Sequence, residues 1–186
     1  VHIPNILSVE WVERMRIALN RILDKPNPSF DADVNPKGSP GRFVFGSFNW
    51  TRDMDFREWV LYSPMAAIAA QLLRSKTIHH VFDFYFAKEP NSPHNTVWHQ
   101  DQGGNPVRGR NVAGSLVPLD EVTHESGAVE YIRGSHNWNR WFVAPLSDES
   151  TAVVDNQFDK FFDFGEGPDT DGGDQARLEK YDERFE

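Results

Sequence analysis

Apolar and polar positions follow two different rhythms along this chain, and the change falls near residue 79. Before it, Val12, Met15, Leu19, Ile22 and Leu23 share one face at helical spacing. Ser8 stands where a helix cap is wanted and Glu10 falls in the first turn, so the pattern predicts a packing helix running to about Leu23. Lys25 to Pro40 is rich in Pro, Asp, Asn and Gly and reads as a loop. Arg42 to Trp50 (RFVFGSFNW) is aromatic and reads as a strand or a pocket-lining segment. Ser63–Pro64 opens a second helix, MAAIAAQLL, with proline at its first position.

From His79 the period shortens. HHVFDFYFAKEP predicts a strand ended by Pro90, and Val97 to Gln102 a short strand leading into a Gly/Asn/Pro loop. Val112 to Val122 and Ala128 to Ser135 read as two more strands, parted by a turn through Glu125–Ser126–Gly127. Helices followed by short strands suggest a mainly β fold in which helices back an antiparallel sheet, as in a jelly roll. After Pro145 the pattern decays into an acidic, Gly-rich stretch. The expected organisation is one domain over 1–186. In it, 1–78 is helical N-terminal support, 79–145 the first half of a jelly roll, and 146–186 an acidic lid or linker.

Composition narrows the function classes. With 186 residues, 39% apolar and 13% aromatic, the chain can bury a core, and wholesale disorder is excluded. It has no cysteine, which rules out disulfides, Fe–S clusters and thiol nucleophiles. The net charge of −9 is lopsided: Ser147 to Glu186 hold thirteen Asp/Glu against four Lys/Arg, while residues 1–146 sum to zero. A neutral body with an acidic end argues against nucleic acid as a partner. No apolar run is long enough to span a bilayer and no targeting segment is visible, so a cytoplasmic protein without a membrane partner is expected. Oligomeric state is not legible.

The candidate chemistry centres on His99–Gln100–Asp101. On a strand, residues two apart point to the same face, so His99 and Asp101 present an imidazole beside a carboxylate. That is two-thirds of the two-His, one-carboxylate set that holds non-haem Fe(II). A His-x-Asp triplet is common enough by chance that a plain surface pair stands beside this reading.

The surrounding blocks separate the two. Lys88–Glu89–Pro90 is followed by Thr96–Val97–Trp98–His99–Gln100–Asp101, then by Asp120–Glu121–Val122, Glu125–Ser126–Gly127 and Gly134–Ser135–His136–Asn137–Trp138. This order and spacing resemble the phytanoyl-CoA dioxygenase-like family of Fe(II)/2-oxoglutarate oxygenases. Gly41–Arg42–Phe43 and Ser63–Pro64 through Ala69 resemble the family's N-terminal region, so the likeness covers about residues 1–146. The resemblance implies a double-stranded β-helix and an oxygenase that uses Fe(II), 2-oxoglutarate and O2 to hydroxylate or otherwise oxidise a small organic molecule. It implies His99 and Asp101 as iron ligands. It places Thr96, with Lys88 and Gln100 as weaker candidates, against 2-oxoglutarate, and puts His136 near the substrate. Asp83 and Tyr85, alternating on the preceding strand, are expected to line the pocket.

Two departures qualify the likeness. Leu116 stands where the family usually has a tryptophan. No histidine follows His136, no Pro-Gly-Asp turn occurs, and Arg177 and Arg184 lie in a charged, helix-like stretch. The family's distal histidine and 2-oxoglutarate arginine are thus not found, and the chain is expected to represent an incomplete jelly roll, inactive as a fragment. The alternative function is a non-catalytic jelly-roll binding module with a partial metal site. Asp169-x-Asp171-Gly-Gly-Asp174 fails as a Ca²⁺ loop, since Gly173 and Lys180 fall where ligands are needed.

Overall fold

The computed structural model describes residues 1–138 apart from 36, 94, 95, 97, 102–106, 108 and 110. Helix α1 (Val9–Asp24) starts where the sequence predicts. The Ser8 side chain accepts a hydrogen bond from the Trp11 amide at 3.3 Å, satisfying one of the donors a helix start leaves open. Met15, Ala18 and Ile22 are buried along its inner stripe, with Leu19 and Leu23 packed beside them. Three strands follow the antiparallel order β1–β2–β3: β1 (Asp31–Asp33), β2 (Phe43–Ser47) and β3 (Phe84–Lys88). Two of the three therefore come from before residue 79.

The register sorts the side chains into two faces. Phe43, Phe45 and Ser47 pair with Lys88, Phe86 and Phe84, so these six share one face. Val44, Gly46, Tyr85 and Ala87 share the other, where Val44 and Tyr85 close the core against Met15, Ala18 and Ile22 of α1 and Phe56 of α2 (Met54–Tyr62). Gly46 is required there, because a methyl group at its position would run into the Asp31 carboxylate and the Tyr85 ring.

Helix α2 was not legible as a helix, since its apolar positions form no continuous stripe and only Phe56 is buried. A cap and ion pairs hold it instead. The Asp53 carboxylate accepts from the amides of Asp55 and Phe56 at 2.9 and 3.3 Å. Arg14 and Arg21 of α1 reach across to Asp55 at 2.6 and 2.5 Å. Arg14 also pairs with Glu58, and Arg21 with Asp53. Single exposed pairs are worth little, but four that share partners fix the angle between the two helices. Helix α3 (Met65–Leu73) follows Pro64 as read, and Arg74 ends it in the left-handed region at φ 51°.

Three expected strands do not form. The described residues of 97–102, and 112–122 and 128–135 throughout, carry no strand. Their hydrogen bonds are turns instead, among them Ala128 to Thr123 and Ser135 to Ile132. Alternating apolar residues make a strand only when a neighbour completes the ladder and a core takes one face. Here Pro118 lacks a donor, Gly114 has no side chain to pack, and Leu116, Val129 and Tyr131 stand exposed. β1, conversely, lies inside the predicted loop, recruited by pairing with β2. The acidic segment 146–186 lies outside the described residues. Among the described residues no helix is long and apolar enough to cross a membrane.

Candidate functional site

His99 and Asp101 lie in a non-repetitive segment after β3. Their side chains still meet: Nε2 of His99 stands 3.2 Å from Oδ1 of Asp101. The hydrogen bond from His99 holds the Asp101 carboxyl below the usual carboxylate range, so it is ionised at neutral pH. Gly114 approaches the other oxygen, leaving a hypothetical methyl 3.8 Å from Oδ2. The Asp101 side chain is 79% exposed, so solvent and small solutes reach it.

The spacing permits a direct fit test. Two ligands at about 2.1 Å from a first-row metal, at right angles, stand about 3.0 Å apart. The observed 3.2 Å is close to that, and an imidazole nitrogen beside an ionised carboxylate is a donor set Fe(II) accepts. Among the described residues, no third His, Asp or Glu joins the pair. The donor types fit a pair of Fe(II) ligands, and the 3.2 Å spacing is equally that of the hydrogen bond the two side chains make with each other.

The other predicted residues divide by sheet face. Lys88 is exposed on the face carrying Phe43, Phe84 and Phe86, with its ammonium 5.8 Å from the Phe43 ring centre. Thr96 is exposed and Gln100 half-buried, both flanking His99 in sequence. His136 is exposed in a 3₁₀ turn (Ser135–Asn137) that follows Gly134 at φ 80°. Tyr85 lies on the opposite, helix-backed face, buried to 5%, and its hydroxyl donates to Oδ1 of Asp31 at 3.0 Å. Asp83 turns towards the chain after β2, where its carboxylate accepts from the Trp50 amide at 3.3 Å.

Asp83 and Tyr85 belong to a buried polar network that the sequence did not reveal. Asp31, with a side chain 1% exposed, takes both terminal nitrogens of Arg52 in a forked pair, plus the Tyr85 hydroxyl and the Asn27 amide. Arg52 also reaches the fully buried Asn49 at 2.6 Å, and Asn49 bonds Asp83. No sequence signal joins residues 31, 49, 52, 83 and 85; pairing of β1 and β3 with β2 brings Asp31 to Tyr85, and the 3₁₀ turn after β2 brings Asn49 and Arg52. His80 sits against Trp50 with ring centres 5.6 Å apart, and burial pushes its pKa down.

Burial pushes the Asp83 carboxyl above its ordinary value, with the bonds from Trp50 and Asn49 opposing it. A raised carboxyl pKa means the folded chain holds a proton that the unfolded chain has released. This contribution is full below pH 3.8 and is lost as pH climbs towards the folded-state value. Asp83→Asn removes the titration and leaves His80 in place. In urea titrations from about pH 4 to pH 7, the wild-type chain should therefore lose stability relative to the variant as pH rises. A constant difference across that range would show that Asp83 stays ionised throughout.

A family model described as phytanoyl-CoA dioxygenase (PhyH) matches residues 1–160. Searches of the curated proteins and of the solved structures return no match.

Proposed function

The chain belongs to the phytanoyl-CoA dioxygenase family, and on that premise we propose that it carries the His–Asp part of an Fe(II) centre in an oxygenase acting on a small organic molecule. Members of the family are in general Fe(II)- and 2-oxoglutarate-dependent oxygenases of cupin or jelly-roll fold. The small antiparallel sheet backed by helices is consistent with that fold. The observation that carries the proposal is the 3.2 Å approach of His99 Nε2 to an ionised Asp101. When bound, Fe(II) with 2-oxoglutarate supplies oxidative decarboxylation and transfer of an oxygen atom to substrate.

The chain's own residues have simpler tasks. Asp101 offers negative charge, and Nε2 of His99 gives up its proton when a cation takes its place. Lys88 is assigned to a 2-oxoglutarate carboxylate, because it presents an ammonium on the open aromatic face of the sheet. Thr96 and Gln100 are assigned to the same co-substrate by their positions beside His99. Asp101 also directs the outcome: with a carboxylate in this position, hydroxylation or a related oxidation is the expected reaction.

The test titrates the chain with Fe(II) under anaerobic conditions, with and without 2-oxoglutarate, and then measures succinate after O2 is admitted to the complete fold, in which a distal histidine and an arginine are present. Binding that His99→Ala removes, followed by succinate, supports the oxygenase. A chain that binds neither metal nor co-substrate overturns the assignment of these residues. The alternative reading, a non-catalytic module, is favoured by the absence of a third ligand among the described residues. It requires metal binding without any succinate.

A further inference from the structure

Arg16 of α1 reaches a segment 103 residues away in the chain. Its Nη2 donates to the Leu119 carbonyl. Its Nη1 donates at 2.6 Å to Glu13, one turn back on the same helix, which fixes the guanidinium on the helix surface. Nε, shielded from water and without a hydrogen bond, faces the Asp120 carboxylate at 3.2 Å. All three nitrogens are engaged, a use of the planar fork that a lysine could not make. Leu119 itself packs against the core cluster that Met15 and Ala18 of the same helix enter.

This grip matters because the span before it has little hold of its own. Among the described residues, 112–118 form no helix or strand and make no hydrogen bond. Pro118 has a fixed φ and holds Val117 extended, so the direction set at Leu119 carries back along the span.

Further back, the span reaches the candidate site. A methyl group placed on Gly114 would stand 3.8 Å from Oδ2 of Asp101, and among the described residues no other atom beyond its chain neighbours comes within 4 Å of that point. His99 meets the opposite oxygen, Oδ1, at 3.2 Å. The carboxylate thus has the imidazole at one oxygen and the span at the other. Where the span lies limits how far Asp101 can rotate away from His99.

We infer that Arg16 is a positioning residue for the metal pair: by gripping Leu119 and Asp120 it keeps the 112–118 span, and Gly114 within it, against Asp101. The inference rests on the reading of His99 and Asp101 as iron ligands. Arg16 acts through the span, which ties a helix from the start of the chain to a site built much later in it.

The cysteine-free chain allows two spin labels to be placed cleanly, at Val9→Cys on α1 and Ser115→Cys in the span, both exposed positions. In the metal-free chain the distance between them should be narrowly distributed, and Arg16→Ala should broaden it. Arg16→Ala should also weaken anaerobic Fe(II) binding about tenfold, the lower end of what losing a group behind a metal ligand costs. Asp120→Ala removes one of the three contacts from an exposed position and should move both readouts the same way by less. Arg14→Ala is the control: it breaks ion pairs between α1 and α2, leaves the grip on the span intact, and should move neither. A distribution that both Arg16→Ala and Asp120→Ala leave unchanged overturns the inference. So does an Fe(II) affinity that holds in Arg16→Ala, or that falls equally in Arg14→Ala. If the chain with Arg16 intact binds no Fe(II), the metal reading fails and takes this role with it, an outcome the label distances tell apart from a span that Arg16 does not hold.

Discussion

Replacing Asp101 with Ala should weaken Fe(II) binding by more than about a hundredfold while leaving the thermal midpoint of the metal-free chain unchanged. The two halves of this expectation have separate causes. Loss of a group that merely orients a ligand costs about 10–100-fold in metal affinity, and loss of the charged ligand itself should exceed that. Stability should not follow, because the Asp101 side chain is 79% exposed and its hydrogen bond to His99 is screened by solvent. Asp101→Asn should resemble the alanine variant in affinity, since it keeps the shape and loses the charge. Succinate formation by the complete fold, measured with Asp101 intact as reference, should disappear in both. An affinity unchanged within threefold in the alanine variant would mean that metal binds elsewhere, and His99 and Asp101 would then be an ordinary surface pair.

The largest loss of stability is expected from Asp31→Ala. That carboxylate is 1% exposed and neutralises Arg52, whose side chain is only 17% exposed. Removing one partner of such a pair strands the other charge and costs about 3–5 kcal/mol. The Tyr85 hydroxyl and the Asn27 amide lose their acceptor as well. Against a usual total of about 5–15 kcal/mol, this is a large share, and for a chain of this size it corresponds to a fall of roughly 10 °C in Tm. Tyr85→Phe removes a single hydrogen bond and should cost about 1 kcal/mol. Replacing both charges, as in Asp31→Leu with Arg52→Met, should recover much of the loss, because no charge is then left buried alone. Calorimetry or urea unfolding decides the matter. If Asp31→Ala costs no more than Tyr85→Phe, the Arg52 pair contributes nothing net.

Both predictions concern carboxylates, yet only one was legible beforehand. Asp101 was found through the blocks around it and through its distance of two residues from His99. The two side chains do meet, although the segment carries no strand. Asp31 sits in a stretch whose Pro, Asn and Asp content reads as loop, and nothing local marks it as the centre of a buried network. Its partners lie 21 and 54 residues away; the 3₁₀ turn after β2 brings Arg52 to it and sheet register brings Tyr85.

The amino-acid sequence by itself determined what depends on neighbours along the chain. The cap at Ser8, the inner stripe of α1, Pro64 at the head of α3 and the strand ended before Pro90 are local matters of hydrogen bonding and side-chain period. Family membership was likewise written in the order of short blocks from Lys88 to Trp138. Tertiary structure decided whatever needed a partner distant in sequence. It set Tyr85 against the helices and Lys88 on the opposite face, because pairing with β2 fixes the register of β3. It drew Asp31–Asp33 out of a loop into the sheet, and left 112–122 and 128–135 without strand structure. An extended segment cannot satisfy its own backbone groups as a helix does, so alternation becomes a strand only where another strand completes the ladder.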